Sequence, residues 1–413
     1  MKFKISTLHW RLCKMGLIFS FLAGCATAKQ VEDKSGKWIG TWAAAPQLVE
    51  SPNMPPEPGL SMNTIRQIVR VSIGGNTIRI RFSNDFGVNP LILKSVSVSS
   101  VSDSSKIDLQ TRKFLTFNGE ESVSVPAGSE IYSDTLAFSL KQNSKLAIDV
   151  NYGETFQQLT GHPGSRTTSY ILDGNQLDNP DFKDAVKTDH WYTIMGIDVW
   201  GSEKTSAVAI LGNSITDGRG SGTNRQNRWP DIFSQRLLEN PSTSNVGVLN
   251  LGIGGNCVVK GGLGPTALER FDRDILSQSG VKWLIILEGI NDIGGIRKEE
   301  DAAQTVRNLI DAYLLMIGKA HAKGIKVYGA TILPFARSYY DTPFRQQVWK
   351  KVNEWIRTSG KFDAVIDFAK LMESSEPGVI HPGMHDNDHL HPNEAGYRKM
   401  GESVDLRLFE NKH

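Results

Sequence analysis

Cysteine is nearly missing from this chain. Three occur in 413 residues, and two of them, Cys13 and Cys25, fall within the first thirty positions. Only Cys257 remains for the folded part, and one thiol cannot close an intrachain disulfide, so the fold must be held by its cores. With no histidine beside it in sequence, Cys257 reads as a small buried residue. An excess of either charge is also lacking: 46 Lys and Arg stand against 44 Asp and Glu, for a formal net charge of +2. These charges are dispersed, with no basic block or stripe, which argues against a nucleic-acid surface. The apolar segment at 15–23 is too short to span a bilayer as a mature helix.

That segment has a different meaning. Lys2, Lys4, Arg11 and Lys14 precede it, and Leu22-Ala-Gly-Cys25 ends it. A basic leader, a short apolar stretch and small residues before a processing site form an export signal. The ending resembles the bacterial lipobox, in which the cysteine is lipidated and becomes the new N-terminus, a stable anchor when several acyl chains are attached. Ordinary secretory cleavage near Ala28 is the alternative. Both place the protein outside the cytoplasm, and Ala26 after the cysteine favours an outer-membrane or cell-surface address. The expected organisation is a lipoprotein signal peptide at 1–25, a tether at 26–36, a β-sandwich domain at 37–203 and a catalytic domain at 204–413.

The two domains are read from periodicity. Segments 65–73 and 77–83 alternate with period two and are separated by Gly74-Gly75-Asn76, which predicts a hairpin. Further strands are expected at 93–101, 122–126, 136–140, 145–151 and 192–200. Many short strands with Gly and Asn turns indicate a sandwich or jelly roll. Beyond 204 strands alternate with helices. Strands are expected at 206–211, 246–251, 282–288, 325–332 and 362–368. Helices are expected near 229–239, 265–278, 299–323 and 344–358, with a last one opening at Pro392. Such an α/β pattern predicts a doubly wound parallel sheet, whose chemistry sits outside the carboxyl ends of its strands.

Three strand ends and one late loop carry unusual residues: Gly212-Asn-Ser214, Asn250 to Asn256, Glu288-Gly-Ile-Asn291-Asp292, and Asp388-His-Leu-His391. Ester hydrolysis through a serine needs a hydroxyl, a base, a carboxylate that orients the base, and donors for the developing oxyanion. The first motif can supply the hydroxyl, the next two the donors, and the last both base and carboxylate. Glycine at 255 permits close backbone approach, and Asn291 offers a side-chain amide.

These four motifs, in this order, resemble the blocks of the SGNH/GDSL hydrolases, and the likeness covers about 204–413. The resemblance implies a flavodoxin-like fold and a cofactor-free esterase or lipase activity. In it Ser214 is the nucleophile, His391 the base and Asp388 its orienting partner. The amides of Ser214 and Gly255 and the side chain of Asn291 would hold the oxyanion. Gly-Thr-Trp-Ala-Ala-Ala-Pro at 40–46 and Glu288-Gly-Ile-Asn-Asp-Ile-Gly294 are similar to secreted bacterial two-domain members. One departure stands out: the family usually has aspartate before the serine, and this chain has Asn213. No Gly-x-Ser-x-Gly elbow surrounds Ser214, unlike the α/β-hydrolases.

Competing readings remain. His381, His385, Asp386, Asp388, His389 and His391 are close enough in sequence to suggest zinc, but their spacing is irregular and no metal is expected. Gly261-Gly-Leu-Gly264 is read as a turn rather than a phosphate loop, Asp292 as a structural hydrogen-bonding residue and Trp229 as packing at a helix start. Trp38 and Trp42 are read as sandwich core rather than sugar platforms. The polar loop His162-Pro-Gly-Ser-Arg166-Thr-Thr-Ser-Tyr170 is a candidate border of the site but is not assigned to it. The expected substrate is an acylated carbohydrate, chiefly acetylated, with membrane contact through the N-terminal lipid alone. Longer acyl esters, as for a lipase, lysophospholipase or thioesterase, are the enzymatic alternative, and a non-catalytic glycan-binding lipoprotein is the alternative of another class.

Overall fold

A computed structural model describes residues 35–410, which form one compact unit. The expected signal peptide, Cys25 and most of the tether lie outside the described residues. Among those described, no helix is long and apolar enough to cross a membrane.

The N-terminal region is all β. One antiparallel sheet runs in the order Lys37–Ala43, Ile194–Gly201, Gly75–Ser83, Leu136–Leu140. A second is built on Val186–Thr188, Ser169–Leu172, Thr64–Arg70, Lys145–Tyr152 and Leu91–Asp103. Alternation makes both possible: Ile78, Ile80 and Phe82 of one sheet and Val96, Val98, Ile148 and Val150 of the other enter one buried apolar cluster.

The expected hairpin at Gly74-Gly75-Asn76 is corrected. Thr64–Arg70 pairs with Lys145–Tyr152 and Ser169–Leu172, whereas Gly75–Ser83 pairs in the other sheet. The glycines therefore carry the chain between sheets. Space explains them, since a Cβ on Gly74 would lie 2.4 Å from the Leu140 carbonyl oxygen.

From Ser206 onward the chain builds a five-stranded parallel sheet. Its spatial order is Val246–Gly252, Ser206–Gly212, Val281–Leu287, Lys326–Ala330, Ala364–Ile366. In chain order that is 2-1-3-4-5, which puts the switch point at the first strand and its two neighbours. The motifs at Ser214, Gly255 and Asn291 follow those three strands. The helix expected at 265–278 is shorter, Ala267–Phe271, and continues as a π-helical turn, Asp272–Leu276. The last helix is Glu394–Ser403, and it opens later than expected: Asn393 is its N-cap, accepting from the Gly396 amide, so Pro392 lies outside it.

The β region and the parallel sheet share their core. Ile39 and Trp42 belong to the same apolar cluster as Leu211, Leu249 and Leu251. The fit is close, because a Cβ on Gly40 would come within 2.8 Å of the Leu249 side chain.

Candidate active site

The first strand ends at Gly212, and Asn213 caps a single helical turn, Ser214–Asp217. Ser214 is thus the first helical residue rather than the cap. The Asn213 carboxamide oxygen accepts from the Ile215 amide at 3.1 Å, and its nitrogen donates to Glu288 Oε2 at 3.1 Å. A donor is needed there, which gives the departure from aspartate a local reason: the residue it faces is itself a carboxyl group.

Ser214 Oγ lies 2.9 Å from His391 Nε2. Across the ring, His391 Nδ1 is 2.6 Å from Asp388 Oδ2, and Asp388 Oδ1 accepts from the Leu390 and His391 amides, both at 2.9 Å. Burial favours the uncharged His391 ring and outweighs Asp388, so its pKa lies below the ordinary histidine value. Burial opposes ionisation of Asp388 too, but the hydrogen bonds from the His391 ring and from the two amides outweigh it, and its carboxyl titrates below the usual range. This pairing, neutral base beside ionised carboxylate, suits proton abstraction from the serine.

The expected oxyanion donors are the Ser214 and Gly255 amides and the Asn291 side chain. Among the described residues, neither the Ser214 nor the Gly255 amide donates to a protein acceptor. Gly255 has φ +70°, a left-handed conformation that disfavours any side chain, and Leu263 packs where a Cβ would project. The Asn291 amide nitrogen donates to the Asn256 carbonyl at 2.7 Å, which leaves its second N–H for another acceptor. Its carboxamide oxygen accepts from the Tyr340 hydroxyl at 3.0 Å. The Asn256 carbonyl, an acceptor only, fixes which end of the amide carries the donors, and the Tyr340 hydroxyl steadies the other end. Tyr340 was not found from sequence, since it arrives from 49 residues away.

A buried guanidinium ties the three strand ends together. Arg270, fully buried, donates to the Leu251 carbonyl at 2.7 Å, the Gly212 carbonyl at 3.1 Å and Asn256 Oδ1 at 3.0 Å, and pairs with Asp274 at 3.0 Å. Its charge also lies 3.8 Å from Glu288 Oε1. The β region contributes His162. Its Nε2 is 2.9 Å from Asp217 Oδ1, its Nδ1 is 2.9 Å from the Ala45 carbonyl, and its ring stacks on Trp191. The unassigned polar loop after it does reach the nucleophile turn: the Asn224 amide donates to the Arg166 carbonyl, and Gln226 donates to Thr167.

Beside Gly255 and Asn291 opens a cavity of about 690 Å³, with Cys257, Tyr340, Lys260 and Arg297 among its walls. Burial pushes the Cys257 thiol up to about 12, as an inert structural cysteine requires. Asp292 accepts from the Val258 and Val259 amides at 2.8 and 3.0 Å, the structural role expected of it. Trp229 is wholly buried at the first turn of its helix. Trp42 is core, stacked edge-on against Trp191, while Trp38 is half-buried between Trp200 and Arg79. In the histidine-rich loop, His391 and Asp388 are committed to each other and His385 stacks on His389. Among the described residues no group of three or more His, Cys, Asp or Glu is placed to hold a metal ion.

Residues 210–399 match the model of the GDSL-like lipase/acylhydrolase family. The chain carries a GDSL-like acylhydrolase domain. That domain is the catalytic unit of a carboxylic ester hydrolase, and it contains every site residue named above except those of the β region. Solved structures resemble about half of the chain. A putative lipolytic protein of the G-D-S-L family from Desulfitobacterium hafniense is 24% identical over 48% of this chain and 97% of its own, with a TM-score of 0.36. A GDSL-like lipase from Bacteroides thetaiotaomicron is 22% identical over 50% of this chain and 90% of its own, at 0.35. A catalytic mutant of an acetylxylan esterase from Geobacillus stearothermophilus is 16% identical over 49% and 94%, at 0.38. No curated protein matches the chain.

Proposed function

We propose that the acylhydrolase domain works through Ser214, His391 and Asp388, with the Ser214 and Gly255 amides and the Asn291 side chain receiving the oxyanion. The observation that carries this reading is the chain of contacts from Ser214 Oγ to His391 Nε2 at 2.9 Å and from His391 Nδ1 to Asp388 Oδ2 at 2.6 Å. His391 takes the serine proton as Oγ attacks the acyl carbon, then returns it to the leaving alcohol. Water repeats the sequence on the acyl-enzyme. Asp388 holds the ring and stabilises the imidazolium that forms.

For the substrate, the reading is a small acyl group, chiefly acetyl, on a glycan. Its support is the set of polar and charged side chains on the cavity wall, where Thr305 and Asn308 join Lys260 and Arg297. The N-terminal β region, read as a jelly-roll-like accessory, would place this activity on extracellular polysaccharide. Export and lipid attachment at Cys25 put the enzyme at the cell surface or outer membrane. One observation favours the second reading, longer acyl chains: Leu263 packs beside Gly255 and is 51% exposed.

An acyl-length series on p-nitrophenyl esters separates the two. Turnover confined to acetate and propionate supports the deacetylase. A maximum at about eight carbons or longer supports the lipase reading, in which apolar burial along the chain adds about 0.8 kcal/mol per methylene.

A further inference from the structure

A guanidinium carries five donors, which an exposed side chain can offer to a bound anion. Among the described residues every arginine side chain makes a hydrogen bond or ion pair except three: Arg166, Arg219 and Arg297. All three belong to the candidate active site. Arg297 lines the cavity beside Gly255 and Asn291, with Lys260 on the same cavity wall. Arg219 lies five residues beyond Ser214, its carbonyl accepts from Tyr397 Oη at 2.6 Å, and its charge acts on His391. Arg166 comes from the β region, and its charge and that of Asp388 both act on the Tyr397 hydroxyl.

Arg166 also carries two costs. Its φ is +51°, a left-handed conformation that costs a non-glycine residue energy, and its Nε is buried with no acceptor. A buried unmet donor on a strained residue marks a place where a ligand can supply the acceptor. The nearby carboxylates do not supply one. Asp217 is bound to His162, Asp388 to His391, Asp292 to two backbone amides and Glu394 to Arg225. Asp386, exposed near His391, is one acidic charge beside those of Arg219 and Arg166.

We propose that the substrate is an ester on an acidic glycan, whose carboxylate- or sulfate-bearing sugars are held by Arg297 and Lys260 beside Asn291 and by Arg219 and Arg166 beside His391. The inference rests on the esterase reading and narrows it. Guanidinium groups hold planar or tetrahedral oxyanions by charge-assisted, often paired, hydrogen bonds. Cations on both sides of the reacting centre suit a chain charged at sugars on both sides of the acylated one. A phospholipid presents its single phosphate on the alcohol side alone.

The test is calorimetric binding to the full chain carrying Ser214→Ala, which does not depend on turnover. The probes are an oligogalacturonate, a sulfated oligosaccharide, a neutral xylo-oligosaccharide and an anionic lysophospholipid. The expected result is that one or both acidic oligosaccharides bind at least about tenfold tighter than the neutral one. That ratio should collapse in Arg219→Ala and in the Lys260→Ala, Arg297→Ala pair, with Arg166→Ala following if it folds. Which acid binds tells carboxylate from sulfate. Equal binding of neutral and acidic sugars, a ratio that survives both variants, or preference for the lysophospholipid would overturn the proposal. Turnover of p-nitrophenyl acetate by the unsubstituted chain is measured alongside, and its absence sinks the esterase reading instead.

Discussion

Asn213 donates a hydrogen bond to Glu288 across 3.1 Å, tying the turn that carries Ser214 to the strand end that leads into Asn291. Glu288 is wholly buried, and burial pushes its carboxyl up to about 8, against the opposing charge of Arg270. Between its ordinary value of 4.5 and about 8 the folded chain keeps a proton that the unfolded chain has released. Folding stability therefore falls as pH rises through that window. Glu288→Gln keeps the acceptor for Asn213 and cannot ionise, so thermal midpoints measured from about pH 5 to 8 should fall less steeply in the variant than in the wild type. Parallel curves would count against this account of Glu288.

Tyr340 and Asn291 form the second relationship with a kinetic consequence. Tyr340→Phe removes a bond that steadies the carboxamide, and kcat should fall by about tenfold with KM little changed. Asn291→Ala removes the donor itself and should cost about 10²–10³ in kcat. Should Tyr340→Phe change KM alone, the tyrosine acts on binding and not on the donor.

His162 tests whether the β region belongs to the catalytic unit. His162→Ala strips a buried carboxylate, Asp217, of its ring partner, and breaking such a pair costs about 3–5 kcal/mol. Urea denaturation should report that loss, with reduced turnover at temperatures where the variant is folded. A change below about 1 kcal/mol would make the contact incidental.

The acid limb of kcat/KM reports the free base. Burial lowers the His391 pKa, with Asp388 pulling the other way, so the neutral ring persists below the ordinary histidine range. The limb should lie under pH 6.5, the unshifted value. An acid limb above that value would mean that another group controls the rate.

The sequence made the strand-end motifs legible because each is local. Gly212 to Ser214, Gly255 and Asn291 are short words placed by the 2-1-3 order of adjacent strands, and the Asp388/His391 pair is one more in the loop before the last helix. Residues that act through distant contacts were not legible. Arg270 looks like one charged residue on a short helix, yet it bonds to two strand ends. Tyr340 reaches the site from a loop and His162 from the end of a short strand, Thr160–His162, and neither carries a motif. The hairpin at Gly74 failed for a related reason: alternation marks strands, while the sheet each joins depends on partners far along the chain. Asn213 was visible as a departure, but its reason was not, because Glu288 lies 75 residues away.

The central claim is that Ser214 is the nucleophile, and the most direct measurement is turnover of p-nitrophenyl acetate by Ser214→Ala beside the wild type. Matched thermal unfolding of both proteins shows that the fold is kept. A loss of about 10⁶, to the background rate, is the predicted result. Turnover within about tenfold of wild type in the folded variant would contradict the account, since losing a nucleophile costs orders of magnitude more than that.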